Sequence, residues 1–369
     1  MSSPYAKSHR PRLSVGNKIS IIVSTRDRSP LLRSTLLCAR AQTWSDKEVI
    51  VVDEGSSDDT QSVLATEFPE VKVVRHDVAR GPAAARNAGV AAAGGDWLFF
   101  WDDDDLMHPR HLEELMGASL EAPPRCLVTG RQRDFAIVSG EVMLAPVFCA
   151  PAKRSDTETL TELLEPTRQR TITHSSILWP RELFDTLSWD EELAFNDDFD
   201  LFGRSILAGW HIVGREVGQY FIRLHTGPRV TTGVSTRRLL SPPRYYLKWS
   251  ELLKQHPENA ACASALRNGL MEQLIDMTDV AAAKNLMPQL EAAFRDWGGR
   301  RFYPTHPPQN WLKRAVVRSI LEVGGLSAMR RFLELVARVR SPRSDYISSF
   351  QPPATDADRE HASIIRLYQ

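Results

Sequence analysis

Trp97-Leu98-Phe99-Phe100-Trp101-Asp102-Asp103-Asp104-Asp105 is the stretch on which the fold turns. Its apolar half, bounded by Gly94-Gly95 and by a polar turn, reads as a short strand buried on both faces. Carboxylates at the C-terminal end of such a strand lie where open α/β sheets put their ligands. Four adjacent anions repel one another unless water, a cation or a helix end offsets them. A divalent metal shared between carboxylates and substrate phosphates does this well. The competing reading is a solvated loop in which Asp105 caps the helix opened by Pro109-Arg110-His111.

Upstream, apolar runs and helical patterns alternate. Ile19-Ser20-Ile21-Ile22-Val23-Ser24 reads as a strand, followed by Ser29-Pro30 as an N-cap with a first-turn proline. A helix follows over residues 31–41. Glu48-Val49-Ile50-Val51-Val52 is a second strand ending at Asp53, and Asp58 with Gln61 has the spacing of a capping box. Val71-Lys72-Val73-Val74 is a third strand, and the Ala-rich segment 82–93 a helix. Strands and helices at this spacing predict right-handed βαβ crossovers and a parallel sheet covered on both sides. Farther on, residues 172–178 read as a strand and 199–208 as a helix closed by Gly209. From Pro242 the composition turns helical.

Composition narrows the class. The chain has 369 residues, 42% hydrophobic and 25% charged, as a soluble globular protein does. Lys+Arg and Asp+Glu are equal at 46 each, so no global basic footprint for nucleic acid exists. The four cysteines, Cys38, Cys126, Cys149 and Cys262, form no C-x-x-C and fit a reduced, cytoplasmic setting. Residues 1–17 are polar and basic without an apolar core for a secretory signal, and read as a disordered arm. Neither a G-x-x-x-x-G-K-[ST] loop nor a G-x-G-x-x-G after the first strand is present, which disfavours a P-loop ATPase or a dinucleotide fold. Asp53 at a strand end could accept the imide N–H of uracil or thymine, or the ring N–H that guanine also has, because a carboxylate only accepts. A turn-forming Asp before Gly55 is the plainer reading of the same residue.

Several segments, taken in order, resemble a known family. They are Ile21-Ile22-Val23-Ser24-Thr25-Arg26-Asp27-Arg28, Gln42-Thr43-Trp44, the run from Glu48 to Thr60, Gly81-Pro82-Ala83-Ala84-Ala85-Arg86-Asn87-Ala88-Gly89, and Phe100-Trp101-Asp102-Asp103-Asp104-Asp105. Together they resemble the nucleotide-binding half of a family 2 glycosyltransferase of the GT-A fold. The resemblance implies an α/β domain over 18–240, with a nucleotide-binding half (18–105) and an acceptor half (106–240). An α-helical extension (241–340) and a loosely ordered tail (341–369) follow. It implies that Thr25, Asp53 and Arg86 line the nucleoside, with Asp27 and Glu54 beside them. The D-x-D motif falls on Asp102-Asp103-Asp104, so Asp104 would ligate Mn²⁺ or Mg²⁺, with Asp102 or Asp103 on the ribose or a metal-bound water. His225 stands where related enzymes often have a histidine near the metal. Departures from the family pattern are Arg26-Asp27 for Tyr-Asn and Glu54 for a second Asp.

His174 to Phe184 resembles the family's acceptor-side segment, and the catalytic acidic pair maps to Asp197-Asp198, with Asp198 as general base. A helix start there would favour the ionised carboxylate. The implied activity is metal-dependent, inverting transfer of a sugar from a nucleotide-sugar, UDP-sugar above all, to a glycan, lipid-linked or small-molecule hydroxyl. A nucleotidyltransferase on a related sheet is the alternative enzyme, and a non-catalytic sugar-nucleotide or glycan-binding protein the alternative outside enzymes. Basic residues among the late helices, Lys313, Arg314, Arg318, Arg330, Arg331, Arg338 and Arg340, suit either a solvated face or peripheral contact with the inner membrane face.

Overall fold

The computed structural model describes residues 16–150, 155–165, 172–224, 235–277, 280–299 and 350–368. The element order opens β1 (Ile19–Thr25), α1 (Ser29–Arg40), β2 (Lys47–Asp53), α2 (Thr60–Glu67), β3 (Lys72–Arg75), α3 (Pro82–Ala92), β4 (Trp97–Asp102), β5 (Leu106–Met107) and α4 (His111–Glu121). It continues with β6 (Cys126–Thr129), β7 (Gln132–Val138), β8 (Glu141–Leu144), α5 (Asp156–Leu164), β9 (Trp179–Pro180), α6 (Asp197–Leu207), β10 (His211–Gly214) and β11 (Tyr220–Leu224). The remaining helices are α7 (Thr236–Leu239), α8 (Ser241–Lys254), α9 (Ala263–Met277), α10 (Met287–Asp296) and α11 (Asp356–Leu367).

The main sheet has the order β3-β2-β1-β4-β9. Its first four strands are parallel, and β9 runs antiparallel beside β4. Alternate residues of each strand enter opposite cores. Ile22, Ile50, Leu98 and Phe100 face one cluster, which α3, α5, α6, α8 and α9 complete. Ile21, Val23, Val51, Phe99 and Trp101 face the other, with Leu32 and Leu36 of α1. Both faces are covered, as a parallel sheet requires. The register sets Thr25 beside Asp53 and Ser24 beside Asp102, so three strand ends deliver their polar residues to one edge. A smaller sheet, β5-β11-β7-β8, flanks that edge.

The Ala-rich sequence of α3 has a packing reason. A Cβ on Gly89 would lie 2.3 Å from Cγ2 of Ile22, so the helix rides directly on β1. This brings Arg86, three residues earlier on the same face, over the strand ends.

Local expectations fail where tertiary contacts compete for the same groups. Gln61 does not close a capping box with Asp58; its Nε2 donates to the buried Asp53 carboxylate instead. Asp58 accepts from Thr60 and from the Ser29 backbone N–H, which replaces a cap by Ser29 itself. Asp105 does not cap α4. It accepts from Tyr220 Oη at 2.8 Å and the Arg223 N–H at 2.7 Å, tying β4 to β11. The segment 172–178 is not a strand but includes a 3₁₀ turn at His174–Ser176, and only Trp179–Pro180 pairs with β4. The tail is not loose throughout. Residues 356–367 form α11, whose Ala362, Ile364 and Ile365 enter the second core. Arg133 of β7 anchors this helix through Asp358 at 2.6 Å and His361 at 3.1 Å. Residues 1–15, His225 and the basic positions 313–340 lie outside the described residues.

Ile365 is fully buried. Ile365→Ala is expected to cost about 2–5 kcal/mol of stability. Urea unfolding would show it as a lowered midpoint with an unchanged slope.

Candidate active site

The strand ends, α3 and the start of α6 enclose one cavity of about 670 Å³. Thr25, Arg28, Glu54, Arg86, Asp102 to Asp105, His174, Asp197 and Asp198 line it. Residues from distant parts of the chain therefore share one space.

Arg86 is its central cation. The side chain is almost wholly buried, with Nη1 2.7 Å from Asp197 Oδ2 and Nη2 3.3 Å from Asp102 Oδ1. His174 Nε2 lies 3.2 Å from the same Nη2 and 3.4 Å from Asp102. The guanidinium lies 4.5 Å over the Trp189 ring, a cation–π contact in a desolvated place. Asn87, the next residue, fixes that ring by bonding both the N–H and the C=O of Trp189.

The acidic turn after β4 divides its labour. Asp103 is held at both oxygens: Thr25 Oγ1 donates to Oδ2 at 2.7 Å, and Arg28 Nη1 to Oδ1 at 2.7 Å. Burial pushes Asp103 up to about 6, against the pull of Arg28. Arg28 also reaches Asp104 Oδ2 at 3.4 Å. Asp102 is the most open of the three, with 40% of its side chain exposed.

Across the cavity, Asn196 takes a left-handed conformation (φ 67°) and starts α6 so that Asp197 and Asp198 project from its first turn. Asp197 is spent on Arg86. Asp198 accepts the Phe199 N–H at 2.8 Å. Loss of solvent, with the Asp197 carboxylate beside it, raises its pKa to about 6, although His174 and Arg86 pull downward. The helix start was expected to favour the ionised form; burial and the neighbouring acid outweigh it. A carboxylate near 6 is a competent base at neutral pH.

Two expected nucleotide ligands sit elsewhere. Asp53 is fully buried and does not line the cavity. Its Oδ1 takes the Ser56 N–H, and its Oδ2 takes Gln61 and Arg75. Asp27, in a left-handed conformation, accepts from the N–H and Oγ of Ser57 and joins the two turns. It too lies off the cavity. Glu54 lines it, with its carboxylate bonded to His76 and to the N–H groups of Arg80 and Gly81. Arg28 was quoted in the sequence pattern without a role. Its signal was its place three residues past the strand end, facing a turn of four carboxylates.

The turn offers only hard carboxylate oxygens, the donors that Mg²⁺ and Mn²⁺ take. Among the described residues, no group of three or more His, Cys, Asp or Glu side chains is arranged to hold an ion alone. Asp104 and Asp102, both on the cavity wall, suit an ion whose remaining ligands are phosphates and water.

Comparison with known proteins agrees with this architecture. Residues 20–171 match the family described as Glycosyl transferase family 2. The chain is 32% identical over 108 residues to the uncharacterized glycosyltransferase YibD of Escherichia coli, 28% of this chain and 31% of that protein. It is 36% identical over 103 residues to the GalNAc(5)-diNAcBac-PP-undecaprenol beta-1,3-glucosyltransferase of Campylobacter jejuni, 27% of this chain and 33% of that protein. These matches span about a third of each relative. Among solved structures, S. aureus TarS 1-349 in complex with UDP-GlcNAc aligns with a TM-score of 0.53 at 16% identity, over 87% of this chain and 92% of that one. Residues 20–171 thus resemble family 2 glycosyltransferases, and the fold is of the GT-A type with added C-terminal helices.

Asp53 is a brace between β2, α2 and β3. Asp53→Asn should lower stability by about 1–3 kcal/mol, because Arg75 and Gln61 lose a charged buried acceptor. Denaturant titration measures the loss.

Proposed function

We propose that this protein transfers a sugar from a nucleoside diphosphate sugar to an acceptor hydroxyl by single displacement with inversion. One observation carries the reading. Asp198 and the Asp102–Asp104 turn line a single cavity, and Arg86 joins their two walls. The diphosphate lies against Arg86 and the acidic turn, and the acceptor against Asp198. A cation held by Asp104 and Asp102 would offset charge on the leaving diphosphate. Asp198 accepts the proton of the acceptor hydroxyl. That oxygen bonds to the anomeric carbon as the carbon–phosphate oxygen bond breaks, and the diphosphate leaves from the opposite face. Asp197, paired with Arg86, positions the guanidinium.

For the donor we favour a UDP-sugar, since the family resemblance implies a pyrimidine-reading role for Asp53 and the fold neighbour TarS was solved with UDP-GlcNAc. Reading the base through Asp53 needs Arg75, whose side chain is 40% exposed, to release it. Acceptors of the lipid-linked glycan class fit the name of the Campylobacter relative. Among the described residues no helix is long and apolar enough to cross a membrane. Peripheral membrane contact through residues beyond 300 belongs to the same proposal.

In a thermal-shift screen with Mn²⁺, UDP should stabilise the protein more than ADP or CDP, by about 2.7 kcal/mol at 100 times its dissociation constant. Equal shifts with all three would remove the uridine assignment. Asp198→Asn should reduce turnover at least ~100-fold while UDP affinity barely changes. Retained turnover, or a product with the donor's anomeric configuration, would rule out the displacement. Because the base must be ionised, kcat/KM of the parental protein should fall as pH drops below about 6. The raised folded-state pKa has an opposite effect on stability. The favourable contribution of Asp198 is present at low pH and lost as pH rises through about 6. Asp198→Asn should therefore raise Tm at pH 7.5 more than at pH 4.5.

A further inference from the structure

Arg28 has no part in the displacement described above, yet it occupies the acidic turn. Its Nη1 lies 2.7 Å from Asp103 Oδ1 and 3.4 Å from Asp104 Oδ2. Its side chain is 20% exposed and lines the cavity. The stem enters from the start of α1, where Arg28 stands at the N-cap position. Thr25 holds the other oxygen of Asp103, so this carboxylate is fixed between two donors of the same β1–α1 turn.

We propose that Arg28 is a resident counter-ion of the acidic turn that keeps a divalent cation out until a nucleoside diphosphate arrives, so that cation and nucleotide bind as a pair. The inference rests on the nucleotide-sugar reading given above. A bare divalent ion approaching Asp104 meets a guanidinium already on that carboxylate and gains little from an acid whose charge is offset. The two cations repel at short range, beside carboxylates that are themselves buried. A diphosphate changes both terms. Its charge cancels that of the incoming cation, and its oxygens offer Arg28 a planar two-point partner of the kind guanidinium groups favour. Arg28, with a flexible stem and one side open to the cavity, re-pairs from carboxylate to phosphate. Asp104 is then released to the cation. Asp103 stays held by Thr25.

The test is Mn²⁺ binding followed by the loss of the free-ion EPR signal, with and without UDP. The signal of the binary Mn²⁺–UDP complex is subtracted. In the parental protein, saturating UDP should tighten Mn²⁺ binding at least tenfold over Mn²⁺ alone. In Arg28→Gln, Mn²⁺ alone should bind at least tenfold more tightly than to the parental protein, and the enhancement by UDP should shrink. Arg28→Lys keeps the charge and should resemble the parental protein with Mn²⁺ alone. Equal Mn²⁺ affinity of parental and Arg28→Gln proteins without nucleotide overturns the proposal. So does Arg28→Lys behaving like Arg28→Gln, or a parental protein that binds Mn²⁺ equally well with and without UDP. The last comparison needs no variant and can overturn the proposal even if the substitutions prevent folding. If UDP itself does not bind, the nucleotide reading fails, and the Mn²⁺-only comparison still judges Arg28.

Discussion

The double ion pair of Arg86 is the constraint around which the rest of the molecule is arranged. Asp102 and Asp197 come from opposite halves of the domain, and Arg86 bonds both from α3. Carboxylates brought this close would repel or take up protons. The guanidinium lets the Asp102 wall and the Asp197 wall face each other. Its own placement depends on small residues. Gly89 lets α3 lie on β1, and Asn87 holds the Trp189 ring beneath the charge. A bulky α3 would lift the cation away, and the two acids would have nothing in common.

Arg28 does the same work on a smaller scale inside the acidic turn. Between them, the two arginines pair with four carboxylates that differ in exposure. Asp103 and Asp197 are bonded and buried. Asp102 is partly exposed, and Asp198 carries a pKa raised by burial and by its neighbour. Pairs of acids with environments pushed apart in this way mark sites of acid–base chemistry.

Much of this was legible in the sequence. Apolar runs ending in polar residues gave the strand ends, and alternation with helices gave the parallel sheet. The meeting of Asp102, Arg86, Asp197 and Asp198 also followed, through the resemblance of ordered motifs. What the chain did not disclose was competition for partners. Asp53 reads as a free acceptor at a strand end, but Gln61 and Arg75 reach it in the fold. Gln61 accordingly leaves the capping box that its spacing with Asp58 suggests. Asp105 looks like a helix cap, but Tyr220, more than a hundred residues later, claims it. Such choices depend on which distant donor is buried nearby, and no local spacing records that. The same holds for α11, whose charged sequence hides an apolar stripe of Ala362, Ile364 and Ile365.

That last helix also bears on the order in which the molecule is made. Domains assemble from the N-terminus as the chain emerges during synthesis. The core that α11 enters is built from β1, β4 and β11, all of which leave the ribosome long before residue 356. Until then, Phe221, against whose ring His361 later packs, and the Arg133 guanidinium, which Asp358 later neutralises, lack that cover. The nascent sheet therefore waits, with an apolar flank open, for a segment translated well after β11. A chain cut before residue 356 leaves that flank bare, an apolar surface of the kind that makes partly folded species prone to aggregate.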